Sequence, residues 1–114
     1  MRIMDSILTS IKKLLGIDES YEAFDKDIIM HINSVFSILT QLGVGPEDGF
    51  SISGKTDTWS AFIDDASNLE LVKSYIYLKV RLMFDPPSAA ALIDSMNRMI
   101  DEYEWRLNVA VDPI

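Results

Sequence analysis

This sequence has no cysteine and a single histidine, His31. The first absence removes disulfides, thiolate metal sites and cysteine nucleophiles, and it permits a reducing compartment. Long apolar runs are missing too, since nothing approaches the roughly 20 residues needed to span a bilayer. At the N-terminus only Arg2 precedes an apolar stretch that Asp5, Ser6, Thr9 and Ser10 soon break, which argues against a signal peptide. Positive charge is scarce. Ten Lys and Arg stand against 18 Asp and Glu, a net charge of −8, so a basic face that grips nucleic-acid phosphates is not expected. The chain shows no internal repeat and no low-complexity tract. The expectation is a soluble, intracellular protein with no membrane partner.

What is present suits one core. The 114 residues match the common size of a single domain, and 48% hydrophobic content is ample to fill it. Two Trp, four Tyr and five Phe argue against a disordered chain, which would lack the apolar surface to offset ordering entropy.

Apolar spacing sets out the elements. Asp5 or Ser6 can cap a first helix carrying Ile7, Leu8, Ile11, Leu14 and Leu15, which Gly16 stops. Lys12 and Lys13 fall on its polar side near the negative end of the dipole and read as a solvated face. An acidic connection follows, from Ile17 to Glu22. A second helix is expected from about Asp25 to Leu42, with Phe24, Ile28, Ile32, Val35, Leu39 and Leu42 on one face and Gly43 ending it. Asp25 and Asp27 sit where the dipole favours acids. His31 lies beside the stripe without partners at ligand spacing and reads as a boundary residue.

Gly43 to Thr58 is a long irregular segment, of a length usually tied to function or mobility. Phe50 and Ile52 alternate with Ser51 and Ser53, which predicts a short extended piece. A short third helix from Asp57 or Thr58 would bury Trp59, Phe62 and Ile63. The fourth, about Leu69 to Phe84, is apolar nearly all round, as a central helix is. Pro86 and Pro87 then force a stop. Ser88 is expected to cap a fifth helix whose inner face is Leu92, Met96, Met99, Ile100, Tyr103 and Leu107, followed by a tail over 108–114. The fold class is therefore all-α: a compact bundle of four to five helices in one domain, 1–114, with one long irregular loop in the middle.

One stretch looks like chemistry. Gly49 to Thr56 reads G-F-S-I-S-G-K-T and matches the phosphate-binding pattern G-x-x-x-x-G-K-[ST]. In a true P-loop, backbone N–H groups cradle the phosphates, the Lys reaches the outer ones and the hydroxyl holds Mg²⁺. That loop must leave a buried parallel strand and enter a helix. Gly43-Val44-Gly45-Pro46-Glu47-Asp48 cannot be such a strand, and an Mg²⁺-side acid would have to be Asp64 or Asp85. A polar turn is the better account, and no cofactor is expected. The adjacent pairs Asp64-Asp65 and Asp101-Glu102 point apart on a helix and make no catalytic dyad. No Ser-His-Asp arrangement has support beyond composition, and an enzyme is not expected.

Trp105 stands out differently. On a helical wheel it lies opposite Leu92, Met96 and Tyr103, among Asp94, Arg98 and Asp101. A large aromatic on a polar face suggests a contact surface, because Trp is enriched at interface hot spots.

The chain resembles the phage head–tail connector family, small helical adaptors that form rings beneath the portal. The resemblance is carried by Tyr75-Ile76-Tyr77-Leu78-Lys79, Phe84-Asp85-Pro86-Pro87-Ser88, Met96-Asn97-Arg98 and Glu104-Trp105-Arg106-Leu107-Asn108. The Leu42-Gly43 stop, the Gly49-Phe50-Ser51-Ile52 loop and Trp59 fit as well. It implies a mostly helical subunit in a ring of roughly a dozen copies. The portal would lie on one side, a downstream neck or tail-completion protein on the other, and DNA would pass through the middle. Under this reading the chain is a virion protein of the head–tail junction, assembled in the host cytoplasm. The expected contacts are Phe50, Ile52, Lys55 and Trp59 of the loop, Trp105, and Asn108, Val109 and Val111 of the tail. Two rivals remain: a nucleotide-binding packaging accessory using Lys55 and Thr56, and a small acidic regulator that binds a basic partner protein.

Overall fold

The computed structural model describes residues 5–63 and 68–111. Among them the chain forms five helices and no strand: α1 (Ile7–Leu15), α2 (Asp25–Gln41), α3 (Trp59–Phe62), α4 (Leu69–Phe84) and α5 (Ala90–Val111). The acid pair Asp64-Asp65 and residues 112–114 lie outside the described residues.

Helix α4 is the organising element. It packs against α1, α2 and α5, while α5 is seated chiefly on α4. Its apolar girth explains this: Leu69, Val72, Tyr75, Ile76, Leu78 and Val80 are all buried, toward several neighbours at once. Ile28, Ile32, Val35, Phe36 and Leu39 of α2 meet it from one side, and Ile7, Leu8 and Ile11 of α1 from another. Burial of a side chain of this size is worth about 1.5–3 kcal/mol relative to exposure.

Helix α1 begins as its sequence demands. The Ser6 hydroxyl accepts from the Thr9 N–H, and Gly16 ends the helix at φ +81°, a conformation that costs glycine nothing. Lys13 is exposed, but Lys12 corrects the expectation of a solvated pair. Only 2% of Lys12 is accessible. The Gly16 turn folds the acidic connection back over it, so that its Nζ lies 2.8 Å from Asp25 Oδ1. The same Nζ donates to the carbonyls of Glu19 at 3.1 Å and Tyr21 at 2.7 Å. A lysine that donates to two carbonyls and lies beside a carboxylate can be buried without an orphaned charge, although the carboxylate oxygen facing it, Asp25 Oδ1, is buried and accepts no well-aligned hydrogen bond.

Two boundaries also differ from expectation. Helix α5 starts at Ala90, two residues beyond Ser88, and the carbonyl of Ala89 accepts the N–H groups of Leu92 and Ile93 at 3.1 Å each. At its other end α5 runs through Val111, so Asn108, Val109 and Val111 belong to the helix and not to a tail. Its inner face is Met96, Ile100 and Leu107, with Tyr103 partly buried; Leu92 and Met99 are exposed instead.

The middle segment contains no extended strand. Its one bridge is an isolated antiparallel pairing of Thr58 with Ser6. Ile52 is held by the Asn33 side chain, whose Oδ1 accepts the Ile52 N–H at 2.7 Å while Nδ2 donates to the Ile52 carbonyl at 3.0 Å. One amide thereby supplies both hydrogen bonds that a neighbouring strand would have given.

Candidate functional site

The loop between α2 and α3 is built from its aromatic residues inward. Phe50 meets Phe36 edge-on and Phe62 at a tilt, at centroid distances of 4.9 and 5.3 Å. Gly45 (φ +86°) lies so close to the Phe62 ring that a Cβ there would collide with it. The loop is therefore a packed surface feature. Of its expected contact residues, Lys55 is exposed, Phe50 is half-buried and Ile52 is buried. Trp59 is fully buried, and its indole Nε1–H donates to Ser10 Oγ at 3.1 Å. Ile52 and Trp59 thus face the interior of the folded chain.

The P-loop-like stretch has its anion already. Asp57 Oδ2 accepts the backbone N–H of Ser53 at 2.8 Å and of Gly54 at 3.2 Å. These are the amides that a phosphate would need, and a carboxylate of the same chain occupies them. No strand precedes the loop, and the helix after it, α3, is four residues long and begins three residues past Thr56. The G-x-x-x-x-G-K-T match is satisfied internally. Among the described residues no group of three or more His, Asp or Glu is placed to hold a metal.

Among the described residues two exposed aromatic surfaces stand out. The first is the outer face of α5. Trp105 is 67% exposed, and Val109, one turn later, is exposed with it. Asn108 is also exposed, and Arg106 pairs with Glu102 at 3.2 Å. The face is held to the core by Tyr75, whose buried hydroxyl donates to Glu104 Oε2 at 2.6 Å. Burial, and then the hydrogen bond and charge of Glu104, push the Tyr75 phenol well above its ordinary pKa.

The second surface lies at the other end of α4. Tyr21 (51% exposed) and Phe24 (41% exposed) have ring centroids 5.6 Å apart, and Phe24 meets Phe84 edge-on at 5.3 Å. His31 is half-buried at the edge of this cluster, 6.4 Å from Phe84. Beside the rings opens a cavity of about 470 Å³ lined by Leu15, Gly16, Ile17, Phe24, Phe84 and Asp85. At the surface nearby, Ser20 holds the Asp18 carboxyl below its usual range, through its backbone N–H and then its hydroxyl. Sequence reasoning missed this cluster. Helical periodicity puts Phe24 on the core stripe of α2, whereas the structure leaves it exposed; the signal in the sequence is the i, i+3 spacing of Tyr21 and Phe24 beside an otherwise acidic connection.

The described residues thus set exposed aromatic surfaces on a helical scaffold. The model of the phage connector protein family matches residues 7–113, all five helices included, and the chain belongs to that family. The family is one of structural proteins, the head–tail connectors of phages. No curated relative and no solved structure matches the chain. Among the described residues no helix is long and apolar enough to cross a membrane.

Proposed function

We propose that this chain is a non-enzymatic head–tail adaptor, one helical domain that assembles as a closed ring between the portal and the next neck or tail component of a virion. The ring holds roughly a dozen copies, in keeping with the closed symmetry of soluble assemblies. DNA passes through its lumen. The observation that carries this reading is the family match over nearly the whole fold, residues 7–113. The net charge of −8 supports it, because an acidic lumen repels phosphates and lets DNA slide, whereas a basic one would hold it. Phe50, Lys55, Trp105, Asn108 and Val109 are the side chains we assign to contacts with neighbouring subunits or with the portal, and the helix that carries the last three runs on through Val111.

Quantitative mass spectrometry of purified virions tests the role. The expected result is this chain at about a dozen copies per particle, the number a single closed ring contributes. Its absence from intact particles would sink the adaptor reading and favour a regulator that acts before assembly.

A further inference from the structure

The two exposed apolar surfaces differ in shape. One is a protruding indole, Trp105, and the other is a concave aromatic-walled cavity at the Leu15–Gly16–Ile17 turn. Gly16 leaves open space at that cavity, since no atom beyond its chain neighbours lies within 4 Å of where a Cβ would stand. The volume of about 470 Å³ falls within the range of small-ligand clefts and has room for an indole.

Within one subunit the two cannot meet. Glu104, next to Trp105, is bonded to Tyr75, and Phe84 lies nine residues farther along α4, about 14 Å at the helical rise. Trp105 also projects from the side of α5 opposite Met96, Ile100 and Leu107, away from α4. Only another molecule can fill the cavity with this side chain.

The polar groups match as well. A buried indole N–H needs an acceptor, and the Asp85 carboxylate lines the cavity with no ion pair among the described residues. Arg98, on the same face as Trp105 and two turns before it, likewise makes none. Asp85 at the cavity and Arg98 beside the indole offer opposite charges to one another.

We infer that the cavity bounded by Leu15, Ile17, Phe24, Phe84 and Asp85 receives Trp105 of a second copy of this chain. This rests on the ring reading above and gives it a geometry. The surface that inserts differs from the surface that receives, so the contact is head-to-tail and repeats from copy to copy until a ring closes.

Sedimentation velocity and native mass spectrometry on three samples test it: Trp105→Ala, Phe24→Asp, and an equal mixture of the two. Trp105→Ala retains the cavity and Phe24→Asp retains the indole. Each alone should be monomeric, with self-association weakened at least about 30-fold, the equivalent of one hot-spot side chain. The mixture should stop at dimers, because it can form one good contact and no second. Asp85→Arg, a purely surface change, replaces Phe24→Asp should that variant lose its cooperative thermal transition. The inference is overturned if Trp105→Ala assembles like the wild type, if the mixture stays monomeric, or if the wild type itself is monomeric at about 1 mM, the weakest affinity worth assigning. The two readings fail separately. Virions that contain the chain while Trp105→Ala still builds rings reject this contact and leave the adaptor role standing. Capped dimers from a chain absent from virions do the reverse.

Discussion

Replacing Lys12 by Met removes the charge at the centre of the α1–α2 corner while keeping most of the side chain's volume. Two carbonyls lose their donor, Glu19 at 3.1 Å and Tyr21 at 2.7 Å, and the Asp25 carboxylate loses its counter-charge at 2.8 Å. Taking one member from a buried ion pair costs about 3–5 kcal/mol, mostly because the remaining charge is left without compensation. Asp25 Oδ1 is buried, but the side chain as a whole keeps 20% of its surface accessible, so the lower end applies, about 3 kcal/mol. For a chain of this size that corresponds to a fall in Tm of roughly 10–15 °C. Thermal and denaturant unfolding at pH 7 measure it directly. Lys12→Met/Asp25→Leu should recover part of the loss, since it removes the stranded carboxylate but not the two stranded carbonyls, and the double-mutant cycle then isolates the pair. Amide exchange over residues 19–24 should rise in Lys12→Met. A loss under about 0.5 kcal/mol, the ordinary effect of a surface substitution, would refute the reasoning and return Lys12 to the solvated face.

Other perturbations probe other joints. Tyr75 has its phenol pKa raised above the ordinary 10.0 by burial and by Glu104. The stabilisation is complete below pH 10 and is lost as pH climbs toward the raised value, at about 1.4 kcal/mol per pH unit. Tyr75→Phe should flatten that alkaline limb in urea titrations between pH 10 and 12, and an unchanged slope would contradict the assignment. Asn33→Leu should cost about 1–3 kcal/mol by stranding both backbone groups of buried Ile52, visible as faster exchange of the Ile52 amide while α4 stays protected. Gly45→Ala combines a positive φ with a collision against Phe62, and should lower stability by about 1–3 kcal/mol in the same assay.

How far the sequence could be read depended on whether the deciding contact was local. Ser6 capping, the Gly16 stop and the break at Pro86-Pro87 involve neighbours in the chain, and the helices fall where these signals put them. The C-terminal boundary erred for a local reason as well: Leu107 to Val111 contains no Gly or Pro, so nothing halts α5 before its last described turn. Lys12 was illegible because a helical wheel cannot show a returning connection that covers one lysine and leaves the next in water. Phe50 and Ile52 alternate as strand residues do, yet pairing needs a partner strand, and an asparagine nineteen residues away took its place. Trp105 was legible as an outlier on its own wheel, whereas the cavity near Phe24 draws on three separate segments and leaves no pattern in any of them.

The stitching of α1 to α3 has a kinetic consequence. Ile7 N–H reaches Asp57 O at 3.0 Å, Trp59 N–H reaches Asp5 O at 3.2 Å, and the Trp59 indole crosses 49 residues to Ser10. Closing a loop of that length costs about 3 kcal/mol of chain entropy before any contact rewards it. The α4–α5 hairpin needs only a short turn and can form early. Docking of α1 must wait until the intervening chain is ordered, so it belongs to the late side of the folding barrier. Substitutions at Ser10 or Trp59 should therefore quicken unfolding while leaving the folding rate nearly unchanged, which makes this seam the timer of how long a subunit, once folded, stays folded.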